Sequence, residues 1–364
     1  MEWDGVNIKL LAKEKGITLK QLAAEIGVTR QSVGDWVKGQ LPKGNHLVAL
    51  CKIFETTPNA FFYIEKDVGI AVPSHRTKGV AKVTPERQKY ALQHATEYSV
   101  FFKNIEAPRI VPVVRAKDRS EASARTVAQK LRDLVGASKK EPITLEETFQ
   151  LMENLGIYVI IKRFPETIKA YAFYTKIHSY RAVFVDYNTN FLDLIFALLH
   201  EAIHALRDEE VVDPSYDKNE EDFCDLVASH VQFPDEYIKL ALNTISGLKT
   251  SHQVNKLKYL GKENSHALYG LVKQIKNLDP SFKLNISGAD TNFKKEFKSI
   301  GEILFADDDV KSYIDTLRFV SPLFIVAIVA QLEGLSDRRL GELLGVDHIL
   351  DAKAVRVELQ LKTS

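Results

Sequence analysis

Residues 191–207, FLDLIFALLHEAIHALR, are the segment from which the main domain is best inferred. Its apolar side chains recur in every turn and include Leu194, Ile195, Phe196, Leu198, Leu199 and Ile203. A run of this length and composition predicts a helix buried in the core of a domain. His200, Glu201 and His204 interrupt the run, so these polar side chains would be buried as well. Because buried polar groups need partners, the segment predicts a site that satisfies them.

The spacing of the two histidines indicates a metal site. Residues four apart lie on one face of an α-helix, so His200 and His204 can present two imidazoles to a single ion. Glu201 lies beside them, where it can hold and deprotonate a water molecule. The five-residue pattern alone is weak, because chance matches to it are common. The apolar setting of the three side chains is what favours a metal over a solvated helix face.

A catalytic zinc also needs a third protein ligand and an open coordination position. The next predicted helix, at about residues 220–231, carries suitable carboxylates. Glu221, 17 residues beyond His204, is expected to bind the metal, with Glu220 as the alternative. Asp225 lies one turn further along. It is expected to accept a hydrogen bond from a histidine N–H and so to fix the tautomer of that ring.

Residues 121–234 resemble the ImmA/IrrE group of zinc metallopeptidases. The resemblance runs through residues 124–136, 151–161, 171–186, the 191–207 helix and EDFCDLVASHVQFP at 221–234. In the last of these segments, the positions that match the family pattern are Glu221, Asp225, Ala228 and Pro234. The positions that depart from it are Cys224, Val227, Gln232 and Phe233. Ile203 stands where the family often has Gly, and it is compatible with a helix.

This resemblance implies a zincin-like peptidase domain with Zn²⁺ as its cofactor. It assigns the metal to His200, His204 and Glu221, and general-base catalysis to Glu201. The β-branched and aromatic runs before the 191–207 helix predict a small sheet, at residues 157–161, 171–174 and 182–185. Three polar side chains near this sheet are candidate donors to a reaction oxyanion, namely Tyr171, Tyr174 and His178.

Residues 7–64 have the pattern of a set of short helices. Thr18 is a suitable N-cap, and Gln21 three residues later completes a capping box. Gly27 suits the left-handed position after a helix. Thr29 can then cap a further helix over residues 30–38.

This segment resembles the Xre/Cro-type helix-turn-helix family. The residues that carry the resemblance are Leu19-Lys20-Gln21-Leu22-Ala23, Gly27-Val28-Thr29, Trp36, Gly39 and Pro42. The resemblance makes residues 29–38 the recognition helix. The expected DNA-binding residues are Thr29, Arg30, Gln31, Ser32 and Lys38, because Arg and Gln read base edges and Lys contacts phosphates. A helix-turn-helix used only for protein contact is the alternative.

The predicted fold class is α+β and mostly helical, in four parts. An all-α helix-turn-helix domain at 1–66 is followed by a basic connector at 67–120. A zincin-like peptidase domain with a small sheet follows at 121–240, and a helical C-terminal region of unknown role at 241–364. Residues 67–140 contain 15 Lys and Arg against 7 Asp and Glu, and the part up to about 119 shows no sustained helical period.

Composition places this 364-residue chain among globular proteins of the cytoplasm. It is 27% charged with a formal net charge of +1, and two cysteines provide no disulfide framework. The polar start, MEWD, predicts no signal peptide. The longest apolar run, residues 323–330, is shorter than the roughly 20 residues of a membrane span. The expected partners are double-stranded DNA, a protein substrate and a second copy in a homodimer, with no membrane.

Together these patterns predict a zinc-dependent endopeptidase that is also a transcription regulator. The metallopeptidase resemblance implies a repressor or antitoxin-type substrate, whose cleavage controls stress, phage or mobile-element genes. The alternative is a DNA-binding repressor or antitoxin. In that case the peptidase domain would be a sensor or protein-contact module with little turnover.

Overall fold

The computed structural model describes residues 2–3, 5–54, 56, 61–63, 76–77, 85–105, 116–165, 170–207, 218–306, 309–346 and 349–361. The chain divides into two compact units, Met1–Gly69 and Ile70–Ser364. The described part is mostly helical, as predicted, with a small sheet in the second unit.

The described part of the N-terminal unit contains four α-helices and a two-stranded antiparallel ribbon. The helices are α1 (Val6–Glu14), α2 (Leu19–Ile26), α3 (Arg30–Val37) and α4 (Gly44–Phe54), and the strands are β1 (Glu2–Trp3) and β2 (Phe62–Tyr63). One apolar side chain from each helix is fully buried in the shared core: Ile8, Leu22, Val33 and Leu50. Trp36 is buried with them and so packs in the core.

Local signals set the helix-turn-helix geometry, and the predicted caps are confirmed. The Thr18 N–H donates to Oε1 of Gln21 at 2.8 Å, and the Gln21 N–H donates to Oγ1 of Thr18 at 3.2 Å. Gly27 has a φ of +79°, a left-handed conformation that Gly adopts without steric cost. Thr29 then accepts a hydrogen bond from the Ser32 N–H and begins α3.

A four-stranded sheet lies at the centre of the second unit, in the order β3-β5-β6-β4. The strands are β3 (Arg76–Thr77), β4 (Ile157–Lys162), β5 (Ala170–Ile177) and β6 (Tyr180–Asp186). β5 and β6 form the predicted antiparallel hairpin, whereas β4 pairs with β6 in parallel. Phe173 and Phe184 are register partners across the hairpin, and their rings stack with centroids 5.0 Å apart.

The second unit contains fourteen described helices around this sheet. They are α5 (Pro85–Lys103), α6 (Glu121–Asp133), α7 (Leu145–Asn154), α8 (Phe191–Arg207), α9 (Lys218–Gln232), α10 (Asp235–Ile245), α11 (Thr250–Glu263), α12 (Leu268–Leu278), α13 (Ser287–Lys294), α14 (Ile300–Leu304), α15 (Val310–Val320), α16 (Pro322–Ala330), α17 (Asp337–Leu344) and α18 (Ile349–Leu361). The helix α8 has the predicted bounds. It packs on β5 and against α9, and this packing positions the metal motif.

The expectation of a connector over residues 67–120 is wrong for the part that forms α5. This helix buries Ala95, Tyr98, Phe101 and Phe102 in the same core as the sheet. The Tyr98 ring contacts the Phe184 ring edge-on, with centroids 5.2 Å apart. The sequence alone shows no sustained period there, and the first turns of α5, PERQK at residues 85–89, contain no large apolar side chain.

The C-terminal region is helical, as expected, but it shares its cores with elements that precede residue 241. Helices α10–α13 build a second core that includes Leu192 of α8, while α15–α18 contribute to the core around the sheet. Among the described residues, no single helix has the length and apolar character to cross a bilayer. Helices α15 and α16 have that length and apolar character only when they are taken together, and the chain bends by 115° between them.

Candidate metal centre

The metal motif lies in the middle of α8, where the apolar residues bury it from both sides. His200 is 2% exposed, Glu201 is 0% exposed and His204 is 7% exposed. The first turn of the helix is held by Asn190, whose Oδ1 accepts from the Leu192 N–H at 3.1 Å. Burial of three ionisable side chains costs free energy unless each has a partner, so their surroundings decide what the site can do.

Three potential ligand side chains converge at the predicted place. The Nε2 atoms of His200 and His204 are 3.1 Å apart. Oε2 of Glu221, on α9, lies 3.3 Å from Nε2 of His200, and its Oε1 lies 3.2 Å from Nε2 of His204. Among the residues that the structure describes, these three side chains form a cluster able to hold a metal ion.

The dimensions of this triangle fit zinc. In a tetrahedral site with metal–ligand bonds of about 2.0–2.2 Å, neighbouring ligand atoms are about 3.4 Å apart. The three measured separations are 3.1, 3.3 and 3.2 Å. Lone pairs of two imidazoles and a carboxylate that converge in this way repel each other unless a proton or a cation lies between them. Two imidazoles and a carboxylate are a donor set that zinc takes, so the residues present fit such an ion.

Asp225 supports His200 in the predicted manner. Its Oδ1 lies 3.0 Å from Nδ1 of His200, so the Nδ1–H donates to the carboxylate and Nε2 keeps its lone pair for the ion. Burial by itself lowers the pKa of His200. The hydrogen bonds to Asp225 and Glu221 and the nearby carboxylate charges outweigh burial and raise this pKa to about 9. The surrounding carboxylates thus favour positive charge at His200.

This geometry predicts the effect of changing Asp225. Asp225→Asn keeps the size of the side chain but removes the negative charge that faces His200. We expect zinc affinity to fall by about 10-fold, the lower end of the range for partners of metal-binding histidines. Competition with a chelator measures it. Asp222→Asn, at an exposed neighbouring position of α9, is the matched control. Equal zinc affinity for the two variants would contradict the role of Asp225.

Glu201 is fully buried next to His200 on the same helix and is not part of the ligand cluster. Its Oε2 accepts a hydrogen bond from the backbone N–H of Tyr174 on β5, at 2.8 Å. Its Oε1 is buried and has no hydrogen-bond partner among the described residues. Burial raises the pKa of Glu201, although the nearby His200 and His204 partly oppose the rise. A carboxylate with one fixed oxygen, one open oxygen and a raised pKa is suited to accept a proton.

Glu220, the alternative ligand, faces away from the metal position. Its Oε1 accepts from Nε of Arg207 and its Oε2 accepts from Nε of Arg119 at 2.8 Å. Burial raises the pKa of Glu220, but the hydrogen bond and charge of Arg207, together with Arg119, lower it overall. The structure therefore brings Glu221, and not Glu220, to the two histidines.

His230, His178 and Tyr174 lie outside the ligand triangle. His230 is bonded to Oε1 of Glu121 at 2.8 Å, and His178 is bonded to Ser99 at 3.0 Å. Tyr174 is 1% exposed and reaches the site through its backbone N–H. A residue that the sequence did not assign to the site is Cys224, whose Sγ lies 3.6 Å from Nδ1 of His204. The sequence feature that could have indicated this residue is its position on α9, one turn after Glu220.

The candidate DNA-binding residues lie on α3 and at its two ends. Thr29, Arg30 and Gln31 are exposed at the N-terminal end, and Lys38 is exposed at the other end. Ser32 is half-buried, and its backbone N–H is the group that Thr29 caps. Side chains at the start of the second helix of a helix-turn-helix are those that reach base edges in the major groove.

Comparisons with known proteins bear on the N-terminal unit. Residues 8–61 match a family model described as Helix-turn-helix. No curated protein matches the chain. Among solved structures, the crystal structure of ComR from Streptococcus suis aligns with 100% of this chain and 95% of that chain. The identity is 9% and the TM-score is 0.16, a similarity too low to carry an argument. The N-terminal unit is a helix-turn-helix domain of the Xre/Cro type, the fold of DNA-binding transcription regulators.

Proposed function

We propose that this protein is a zinc-dependent endopeptidase of the ImmA/IrrE type, joined to a DNA-binding domain. The observation that carries the proposal is the convergence of the His200 and His204 Nε2 atoms with the Glu221 carboxylate, a donor set of the kind found in catalytic zinc sites. Glu201 supports it further, because its buried Oε1 has no hydrogen-bond partner among the described residues. A purely structural role for four buried ionisable groups would leave this oxygen unsatisfied.

The residues of the site divide the chemistry among them. A zinc ion held by His200, His204 and Glu221 supplies Lewis acidity toward water and toward a peptide carbonyl. Glu201 receives the proton of the attacking water on Oε1 and delivers it to the nitrogen of the leaving amine. The Tyr174 N–H holds Oε2, which keeps the carboxylate oriented during both transfers. Asp225 holds the His200 ring, so that Nε2 stays directed at the ion.

The substrate that we propose is a repressor or antitoxin-type protein. The metallopeptidase resemblance implies this class, and the helix-turn-helix domain supports it by offering a way to reach DNA-bound proteins. Cleavage of such a protein would switch on stress, phage or mobile-element genes.

A second function is favoured by the exposed Arg30 and Gln31 on α3. The protein would then be a repressor or antitoxin, and its zinc domain a sensor or contact module with little turnover. Transcript levels of the target genes in two mutant strains separate the two functions. If the protein is a protease, Glu201→Gln behaves like a gene deletion. If it is a repressor, Glu201→Gln behaves like wild type and Arg30→Ala behaves like the deletion.

DNA binding itself has a specific expected pattern. Arg30→Ala and Gln31→Ala should each relax sequence specificity by about 1–3 kcal/mol, the value of one bidentate base contact. Lys38→Ala is the control, since loss of a phosphate contact weakens binding to all sequences about equally. Binding titrations with the selected site and with base-substituted duplexes measure both effects. Unchanged specificity in Arg30→Ala and Gln31→Ala would show that α3 does not read bases.

A further inference from the structure

The Nδ1 atoms of the two proposed histidine ligands contact different groups. His200 faces the carboxylate of Asp225, whereas Nδ1 of His204 lies 3.6 Å from Sγ of Cys224. Cys224 is fully buried on α9. Its sulfur cannot share an ion with the two Nε2 atoms, because it lies against the opposite nitrogen of the His204 ring. A contact with Nδ1 acts on the orientation and tautomer of the ring instead.

The thiol has a second partner that fixes the direction of its proton. Sγ of Cys224 lies 3.9 Å from Oε1 of Glu220, with the geometry of an S–H donor. Glu220 remains a carboxylate acceptor because Arg207 and Arg119 both bind it. Arg207 is in turn held over the Phe223 ring, with its guanidinium carbon 4.9 Å from the ring centroid. The S–H therefore points to Glu220, and a sulfur lone pair faces the Nδ1–H of His204.

We infer that Cys224, with Glu220 behind it, is a positioning residue for His204. Its sulfur accepts the Nδ1–H of His204 and keeps the Nε2 lone pair directed at the metal position. The inference rests on the metal site of the proposed function and assigns it a further residue. Cys224 is also a position at which the chain departs from the family that it resembles, so this support belongs to this chain.

Three variants of the full-length protein test the inference through zinc affinity. Cys224→Ala removes the acceptor, and we expect the zinc Kd to rise by about 10-fold, because a thiol is a weak partner. Cys224→Ser keeps a group that can both donate and accept, and it should restore most of the affinity. Cys51→Ala, which changes the other cysteine, should leave the affinity unchanged. Competition with a chelator measures all three.

A second measurement separates positioning from packing. The visible absorption spectrum of the Co²⁺-loaded protein reports the geometry of the ligands, and it should change in Cys224→Ala and recover in Cys224→Ser. Wild-type affinity and spectrum in Cys224→Ala would overturn the inference and leave the proposed function standing. Equal losses in the Ala and Ser variants would also overturn it, since they would indicate packing. Failure of the wild type to bind either metal would overturn the inference and the proposed function together.

Discussion

Glu201→Gln should slow cleavage of the substrate by at least about 100-fold, as expected for loss of a general base. The change keeps the shape of the side chain. It also keeps an oxygen that can accept from the Tyr174 N–H, which lies 2.8 Å from Oε2 of Glu201 in the wild type. It replaces the one oxygen that can take a proton from water. Because Glu201 lies outside the ligand triangle, the variant should keep its zinc, its fold and its binding to DNA.

Comparison of wild type and Glu201→Gln on purified candidate repressors checks this expectation. The zinc content of both preparations must be measured in the same experiment, since loss of metal would also abolish cleavage. Cleavage by the variant at the wild-type rate, with zinc bound, would exclude Glu201 as the base. A wild-type phenotype of this allele in cells, under every inducing condition tested, would exclude proteolysis as the main function.

The same substitution at two adjacent positions should have two different effects. Glu221→Gln removes a charged ligand and should raise the zinc Kd by more than about 100-fold, beyond the range for residues that only support a ligand. Glu220→Gln should leave zinc binding stoichiometric, because Glu220 faces Arg207 and Arg119.

Glu220→Gln should instead lower the free energy of unfolding by about 3 kcal/mol. The side chains of Glu220 and Arg207 are 5% and 9% exposed, so the variant leaves the buried guanidinium without its carboxylate. Denaturant unfolding of the zinc-free protein measures this loss apart from any effect of metal. If Glu221→Gln retained zinc and Glu220→Gln lost it, the third metal ligand would be Glu220 and not Glu221.

The sequence predicted the features that local signals encode. The Thr18–Gln21 capping box and Gly27 delimit α2, and the apolar run of residues 191–207 gives α8 its bounds. The cluster of His200, His204 and Glu221 could also be predicted, since the two histidines are one helical turn apart and the resemblance supplied Glu221. These features depend on residues close together in the chain or on a known motif.

The remaining features depend on contacts between distant residues. The choice between Glu220 and Glu221 required the position of Arg207 and Arg119, which turn one carboxylate away from the histidines. The helix α5 was missed because its buried side chains, such as Ala95, Tyr98 and Phe102, keep helical spacing for only about two turns. The contact of Cys224 with His204 likewise exists only after α8 and α9 pack together.

The most direct test of the proposed metal centre is the zinc content of the purified protein, determined by elemental analysis. Wild type and Glu201→Gln should each contain about one zinc per chain, the expected load of a single catalytic site with three protein ligands. His200→Ala should contain almost none, because two ligands cannot hold the ion against dialysis. The proposal would be contradicted if the metal content of His200→Ala equalled that of the wild type.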